Sequence, residues 1–170
     1  MQAVERRARC GPHLASYIPA MRPVPASDLA AAVRACFAAA PPVGVAAAWL
    51  FGSHAEGRAH QESDVDVGVL LGHARFPGAV DRFEAGLRLA GWLIAELRHP
   101  LVDLVVLDDA PPGLAARVVT RGVLVRLSDA ELEHAFRRDV QLRVADLEPF
   151  LRRTRALKLA ALDRPAPPGP

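Results

Sequence analysis

The stretch WLFGSHAEGRAHQESDVDVGVLL, residues 49–71, decides how the chain is interpreted. An apolar run ends at Gly52 and Ser53, a polar segment follows, and the chain then returns to apolar residues that enclose Asp64 and Asp66. Alternate side chains of a β-strand project from the same face, so these two carboxylates would stand only about 7 Å apart along a strand. Like charges at that spacing repel each other, and the repulsion raises one pKa unless a cation lies between them.

Two interpretations account for the paired aspartates. A strand end that is open to solvent explains an isolated Asp-x-Asp, whereas a pair that serves a site suits Mg²⁺, which prefers carboxylate oxygens supplemented by phosphate oxygens and water. The upstream Gly52-Ser53 favours the second interpretation, because a strand that passes directly into a helical turn presents backbone N–H groups to phosphate oxygens. Gly-Ser, ten residues, and Asp-x-Asp between two apolar runs form a much narrower pattern than either pair alone.

Composition limits the classes of function. The 170 residues are 51% hydrophobic and 24% charged, which is typical of a globular domain with a sizeable core. The net charge of +2 argues against a dedicated nucleic-acid binder, so no direct nucleic-acid binding is expected. Two cysteines without metal-ligand spacing predict a reducing, cytoplasmic compartment, and no apolar run is long enough to predict a membrane span.

Hydrophobic periodicity predicts alternating helices and strands. The predicted strands are 43–51, 63–71, 101–109 and 123–127. One predicted helix starts at Ser27-Asp28 and ends before Pro41. The other predicted helices cover 77–97, 111–120, and 128 to about 162, the last with a bend at Pro149. This order predicts an α/β sheet domain with a helical C-terminal extension. Residues 1–26 are expected to be a flexible lead-in, and residues 163–170 a disordered tail.

The segment GSHAEGRAHQESDVD resembles the signature of the DNA polymerase β-type nucleotidyltransferase superfamily. It resembles most closely the small, minimal nucleotidyltransferases (MNT domains). The resemblance covers residues 28–127 and implies a polymerase β-like mixed sheet flanked by helices, with the nucleotidyltransferase domain at 27–127 and the helical extension at 128–162.

The resemblance also implies roles for individual residues. Asp64 and Asp66 would hold Mg²⁺ against a triphosphate, and Asp103 in LVDLVVL would complete a second metal site and help to deprotonate the acceptor hydroxyl. The alternative for Asp103 is an ordinary charge on an edge strand. Gly52 and Ser53 would bind the β,γ-phosphates, and Ser63 is assigned to nucleotide binding with them.

Other polar residues of the chain receive less specific assignments. Asp108 and Asp109 are predicted to belong to a turn. Relatives often carry Arg or Lys where this chain has Glu56, and the nearest base is Arg58. Glu56 is therefore expected to face solvent, since an inward carboxylate would weaken triphosphate binding. The six histidines are scattered and are interpreted as surface or loop residues.

Small bacterial MNT proteins resemble the antitoxin half of HEPN–MNT toxin–antitoxin pairs, in which ATP is used to attach AMP to a tyrosine of the HEPN toxin, an RNase. The resemblance thus implies ATP as substrate, two Mg²⁺ ions as cofactors and a HEPN-family toxin as partner. Two alternatives stay open: a non-catalytic antitoxin that sequesters its toxin, and transfer of a nucleotide to a small molecule such as an aminoglycoside, for which a second acceptor domain is not evident. The apolar stripe of the C-terminal helix would pack on its own sheet or dock on a partner.

Overall fold

A computed structural model describes residues 28–40, 42–60 and 63–162 of the chain. The predicted lead-in, Ser27 at the predicted start of the first helix, and the predicted tail lie outside these residues. The described elements are α1 (Leu29–Ala39), β1 (Val45–Phe51), α2 (Gly52–Ala55), β2 (Val65–Leu71), α3 (Ala79–Leu97), β3 (Val102–Val106), a 3₁₀ turn (Leu107–Asp109), α4 (Pro112–Arg121), β4 (Val123–Leu127) and α5 (Ala130–Leu162).

The four strands form one mixed sheet in the order β3-β2-β1-β4. β1 pairs antiparallel with both β2 and β4, whereas β2 and β3 are parallel and are connected through α3. The β2–β3 connection needs a crossover because parallel neighbours cannot be joined by a tight hairpin. This arrangement confirms the predicted α/β mixed sheet flanked by helices.

Strand alternation divides the apolar residues between the two faces of the sheet. On one face α1 and α3 cover a core that includes Val65, Val67 and Val69 of β2. On the other face α4 and the first turns of α5 cover a second core around Trp49. Because side chains alternate along β2, Asp66 projects on the α4 side, opposite to its valine neighbours.

Close packing holds α4 against the centre of β2. Gly68 lies beneath it, and a Cβ on this residue would come within 2.8 Å of the Val118 side chain and 3.2 Å of Leu107. Val118 itself is fully buried. The absence of a side chain at Gly68 therefore fixes how near α4 comes to the sheet, and with it the position of the polar face of α4.

The predicted third strand is longer than the observed one. β3 ends at Val106, and residues 107–109 form the 3₁₀ turn, so the prediction that Asp108 and Asp109 belong to a turn is confirmed. Both aspartates have structural partners there: Asp108 accepts a hydrogen bond from the Leu71 N–H at 3.0 Å, and Asp109 forms a two-pronged ion pair with Arg82. Burial raises the pKa of Asp108, because its charged form is poorly solvated.

α5 is attached to the domain by its first turns only. Leu132 and Phe136 pack against the second core and Val140 is buried, whereas Phe150 and Leu157 in the distal half are exposed. The helix continues through Pro149. No helix in the described part of the chain is long and apolar enough to cross a membrane.

The start of α5 offers a test of the fold. The Asp129 carboxylate accepts a hydrogen bond from the Leu132 N–H at 2.9 Å and so caps the N-terminus of α5. Asp129→Ala should lower the free energy of unfolding by about 1 kcal/mol, since it leaves an N–H of the first turn unpaired. Urea unfolding measures the change. Asp129→Asn, which keeps an acceptor oxygen, should be close to wild type; equal losses for Ala and Asn would contradict the capping role.

Candidate active site

The site is built at the corner where β1 turns into α2. Gly52, the first residue of α2, has a backbone φ of +68°, in the left-handed region that L side chains rarely adopt. The antiparallel register places Asp66 of β2 opposite the preceding residue, Phe51. A Cβ on Gly52 would lie 2.8 Å from Asp66 Cγ and would overlap its carboxylate. Glycine is therefore required here both by the turn and by the carboxylate that packs over it.

The three predicted carboxylates lie at the same end of the sheet. Asp66 and Asp103 are register partners on the parallel strands β2 and β3, and Asp64 lies two residues before Asp66. Burial raises the pKa of Asp66, and the nearby charges of Asp103 and Asp64 raise it further, while His54 opposes the shift. Asp66 is half-buried, whereas Asp64 and Asp103 are exposed. Negative charge is thus crowded around one partly desolvated carboxylate.

A cleft of about 260 Å³ opens beside Asp66 on the α4 side of the sheet. Its lining residues come from the β1–α2 corner, β2 and the C-terminal part of α4: Phe51, Gly52, Ser53, Ala55, Glu56, Arg58, Asp66, Arg117, Arg121 and Gly122. Gly52, Ser53 and Asp66 therefore share one concave surface. Asp64, Asp103 and Ser63 do not line this cleft.

Glu56 and Arg58 occupy the outer wall of the cleft. Both line it, and their side chains form an ion pair with each other. The Glu56 side chain is 31% exposed and that of Arg58 is 73% exposed. The expectation that Glu56 faces solvent therefore holds only in part, because its carboxylate also borders the cleft and compensates the charge of Arg58.

Ser63 and His54 organise the segment between α2 and β2. The Ser63 side chain is buried, and its hydroxyl accepts a hydrogen bond from the His60 N–H at 3.0 Å. His54 Nε2 lies 3.3 Å from the Ser63 carbonyl oxygen, which can only accept a hydrogen bond, so Nε2 is the donor. Ser63 thus has a structural role in this turn, and its assignment to nucleotide binding stays a prediction.

This arrangement is that of a known family. A family model described as "Polymerase beta, Nucleotidyltransferase" matches residues 39–131, which is more than half of the 170 residues. The chain belongs to the polymerase beta nucleotidyltransferase family. The match spans β1 to the start of α5 and so contains the β1–α2 corner, the three aspartates and α4. No curated protein sequence matches the chain.

Solved structures with a similar fold include a toxin–antitoxin crystallised with AMP-PNP, at 24% identity and a TM-score of 0.51, with 79% of this chain and 98% of that chain covered. The toxin–antitoxin MntA-HepT matches at 21% identity and a TM-score of 0.46, covering 79% and 97%. A rebuilt structure of a tri-AMPylated Shewanella oneidensis HEPN toxin with its MNT antitoxin matches at 21% and 0.44, covering 82% and 96%. The similarity to the toxin–antitoxin crystallised with AMP-PNP shows that this chain and that protein share a fold.

The donor set fits the magnesium ions that a polymerase beta nucleotidyltransferase implies. Within the described residues, no three or more His, Cys, Asp or Glu side chains form a group that could hold a metal by themselves. Mg²⁺ is commonly bound through one or two carboxylates together with substrate phosphates and water, so a complete protein cage is not required. The raised pKa of Asp66 is the relevant observation, because a cation near this carboxylate would relieve the repulsion from Asp103 and Asp64.

Three residues of the nucleotidyltransferase site were missed by sequence reasoning. His54 is half-buried on α2 and lowers the pKa of Asp66, whereas the sequence predicts a surface or loop residue. Arg117 and Arg121 line the cleft from α4. Their spacing of four residues places them on one helical face, but nothing in the local sequence relates that face to a motif more than fifty residues earlier.

The two glycines of the signature provide a matched pair of variants. Gly52 and Gly57 both have positive φ, +68° and +67°, but a Cβ on Gly57 meets no atom within 4 Å. Gly57→Ala should therefore lower the free energy of unfolding by about 1 kcal/mol through backbone strain alone. Gly52→Ala should cost roughly 2–4 kcal/mol, because overlap with Asp66 adds to the same strain.

Urea unfolding compares the two alanine variants. Gly57→Ala is the control for the conformational cost, and the difference between the variants isolates the contact with Asp66. Equal losses of stability would contradict the close approach of the carboxylate to Gly52.

The crowding of carboxylates around Asp66 predicts that wild type and Asp66→Asn differ in stability, and that the difference depends on pH. The folded-state pKa of Asp66 is raised, so its ionisation disfavours the folded state at pH values above that pKa, and the penalty disappears below the unfolded value of about 3.9. Asp66→Asn, without added metal, should therefore raise Tm at pH 7; each 1 kcal/mol of added stability raises the Tm of a chain of this size by roughly 2–4 °C. The gain should shrink as pH falls towards 4.

Thermal unfolding between pH 4 and pH 8 measures this effect. Asp146→Asn, at an exposed position on α5, controls for the loss of one charge and should give no comparable gain. If Asp66→Asn is equally or less stable than wild type at pH 7, ionisation of the Asp66 carboxylate does not destabilise the folded state.

Proposed function

We propose that this chain is an antitoxin that transfers AMP from ATP to a tyrosine hydroxyl of a HEPN-family RNase toxin and thereby neutralises it. The observation that carries the proposal is the register pairing of Asp66 with Asp103, where Asp66 also lines one cleft with Gly52 and Ser53. Membership of the nucleotidyltransferase family supplies the reaction class. The shared fold with a toxin–antitoxin crystallised with AMP-PNP supports the antitoxin role and ATP as donor.

The chemistry follows from the order of the groups across the site. With the triphosphate in the cleft, Gly52 and Ser53 would bind the β- and γ-phosphates, and Asp64, Asp66 and Asp103 would hold Mg²⁺ together with phosphate oxygens and water. Bound Mg²⁺ supplies positive charge that stabilises the attacking and leaving oxygens of an in-line displacement. Asp103 accepts the proton of the tyrosine hydroxyl, whose oxygen forms the new bond to the α-phosphorus. The bond from that phosphorus to the oxygen bridging to the β-phosphate breaks, and pyrophosphate leaves.

The exposure of the carboxylates favours a macromolecular acceptor. Asp103 lies on β3, an edge strand of the sheet, and it is exposed together with Asp64. A hydroxyl on the surface of another protein can reach a carboxylate in this position without entering a deep pocket. The exposed apolar residues of the distal half of α5, among them Phe150 and Leu157, offer further surface for the same partner.

The proposal is tested with the 170-residue chain, ATP, Mg²⁺ and the protein encoded by the neighbouring reading frame, which the proposal requires to be of the HEPN family. Intact-mass analysis should find one or more AMP units added to the partner, and peptide mapping should place them on tyrosine. Asp66→Asn and Asp103→Asn should each reduce transfer by at least roughly a hundredfold, the order seen when a group that stabilises transition-state charge is removed.

Two other outcomes separate the alternatives. No mass increase with wild type, together with neutralisation of the toxin by both wild type and Asp66→Asn, would replace the proposal with non-catalytic sequestration. Nucleotide transfer to an aminoglycoside but not to the HEPN protein would replace it with small-molecule modification. The predicted cytoplasmic location is tested separately, by fractionation of the native cells.

A further inference from the structure

The cleft beside Asp66 has a basic wall that the signature motif does not contain. Arg117 and Arg121 lie one turn apart on α4 and both line the cleft, facing the β1–α2 corner. Both side chains are exposed, and neither forms a hydrogen bond or an ion pair with another described residue. Two uncompensated guanidinium groups thus border the surface that carries Ser53 and Asp66.

The third arginine of the cleft is different, because its charge is already compensated. Arg58 is ion-paired with Glu56, which itself borders the cleft. Other arginines near α4 are similarly occupied: Arg137 pairs with Glu133 and donates to the Val119 carbonyl oxygen. Of the guanidinium groups that line the cleft, only those of α4 remain available to an anionic ligand.

Helix packing explains the position of these arginines only in part. α4 buries Ala115, Val118 and Val119, and this leaves positions 117 and 121 on its outer side. Arg121, in the last turn, interacts favourably with the helix dipole, but Arg117 lies one turn earlier, where this interaction is weak. A structural role for the pair does not explain why both side chains border the cleft.

We propose that Arg117 and Arg121 bind the triphosphate of the nucleotide and supply the positive charge that Glu56 withdraws from Arg58. This inference rests on the proposed function for the identity of the donor. A triphosphate next to the ionised Asp66 needs compensating charge, and guanidinium groups bind phosphate oxygens through pairs of parallel hydrogen bonds.

Calorimetric binding of AMP-PNP with Mg²⁺ tests the inference without requiring turnover. Arg117→Gln and Arg121→Gln should each weaken AMP-PNP binding roughly tenfold, and the double variant more than either, because each loses a charge-assisted contact. Binding of AMP, which lacks the β- and γ-phosphates, should change less than threefold. Arg155→Gln, at an exposed position on α5, is the matched control and should bind AMP-PNP as wild type does.

A variant of Glu56 should change AMP-PNP affinity in the opposite direction. Glu56→Gln releases Arg58 from its ion pair, so it should tighten AMP-PNP binding several-fold and partly restore binding in the Arg117→Gln/Arg121→Gln background. Circular dichroism establishes that each variant is folded. The affinity of the double variant should also depend less steeply on salt than that of wild type.

The outcomes separate this inference from the proposed function. AMP-PNP affinity that is unchanged in the folded double variant overturns the inference, and so does an equal loss for AMP and AMP-PNP. If the double variant loses binding to single-stranded RNA or to the HEPN protein but retains AMP-PNP, the arginines contact the acceptor and the inference is wrong. If AMP-PNP binding falls as expected while no AMP reaches the HEPN protein, the inference stands and the proposed acceptor is rejected.

Discussion

The contact between the Asp66 carboxylate and the backbone of Gly52 is the constraint around which this site is organised. β1 and β2 are antiparallel neighbours, so the turn at the end of β1 lies against the aspartate at the beginning of β2. β2 and β3 are parallel neighbours in a register that places Asp103 beside the same carboxylate. Buried valines on the opposite face of β2 anchor the strand. The apolar core therefore holds like charges close together that would separate in an unconstrained chain.

Charge is distributed unevenly around this crowded carboxylate. Towards β3 the neighbouring charges are acidic and exposed, whereas towards α4 two arginines line the cleft. A nucleoside triphosphate needs both surroundings, because its phosphate oxygens repel carboxylates unless a cation or a guanidinium group lies between them. The close packing of α4 over Gly68 sets the width of the cleft between the acidic and the basic side.

Local patterns in the sequence predicted much of this structure. The apolar runs predicted the bounds of β1 and β2 to within two residues, because each run is bounded by glycine or polar residues that end a strand. The corner with Gly52, Ser53 and Asp66 was predicted from one contiguous segment. Arg117 and Arg121 were not, since their role depends on α4 folding back across β2. Ser63 was assigned to nucleotide binding because of its residue type and its spacing from Gly52 and Asp64. Its buried hydroxyl accepts a hydrogen bond within the turn, which a sequence pattern cannot reveal.

The edge position of β3 connects the fold to the kind of acceptor that the site suits. A base at the floor of a closed pocket would select small acceptors by size. Asp103 instead belongs to a strand at the edge of the sheet that the described residues form, and α3 beside it exposes Val80, Phe83 and Leu87. An apolar groove of about 440 Å³ lies between α3 and β3, and its lining includes Phe83, Leu87 and Asp109 but not Asp103. A carboxylate exposed on an edge strand is instead open to a hydroxyl that another protein presents, which is the class of acceptor in the proposed function.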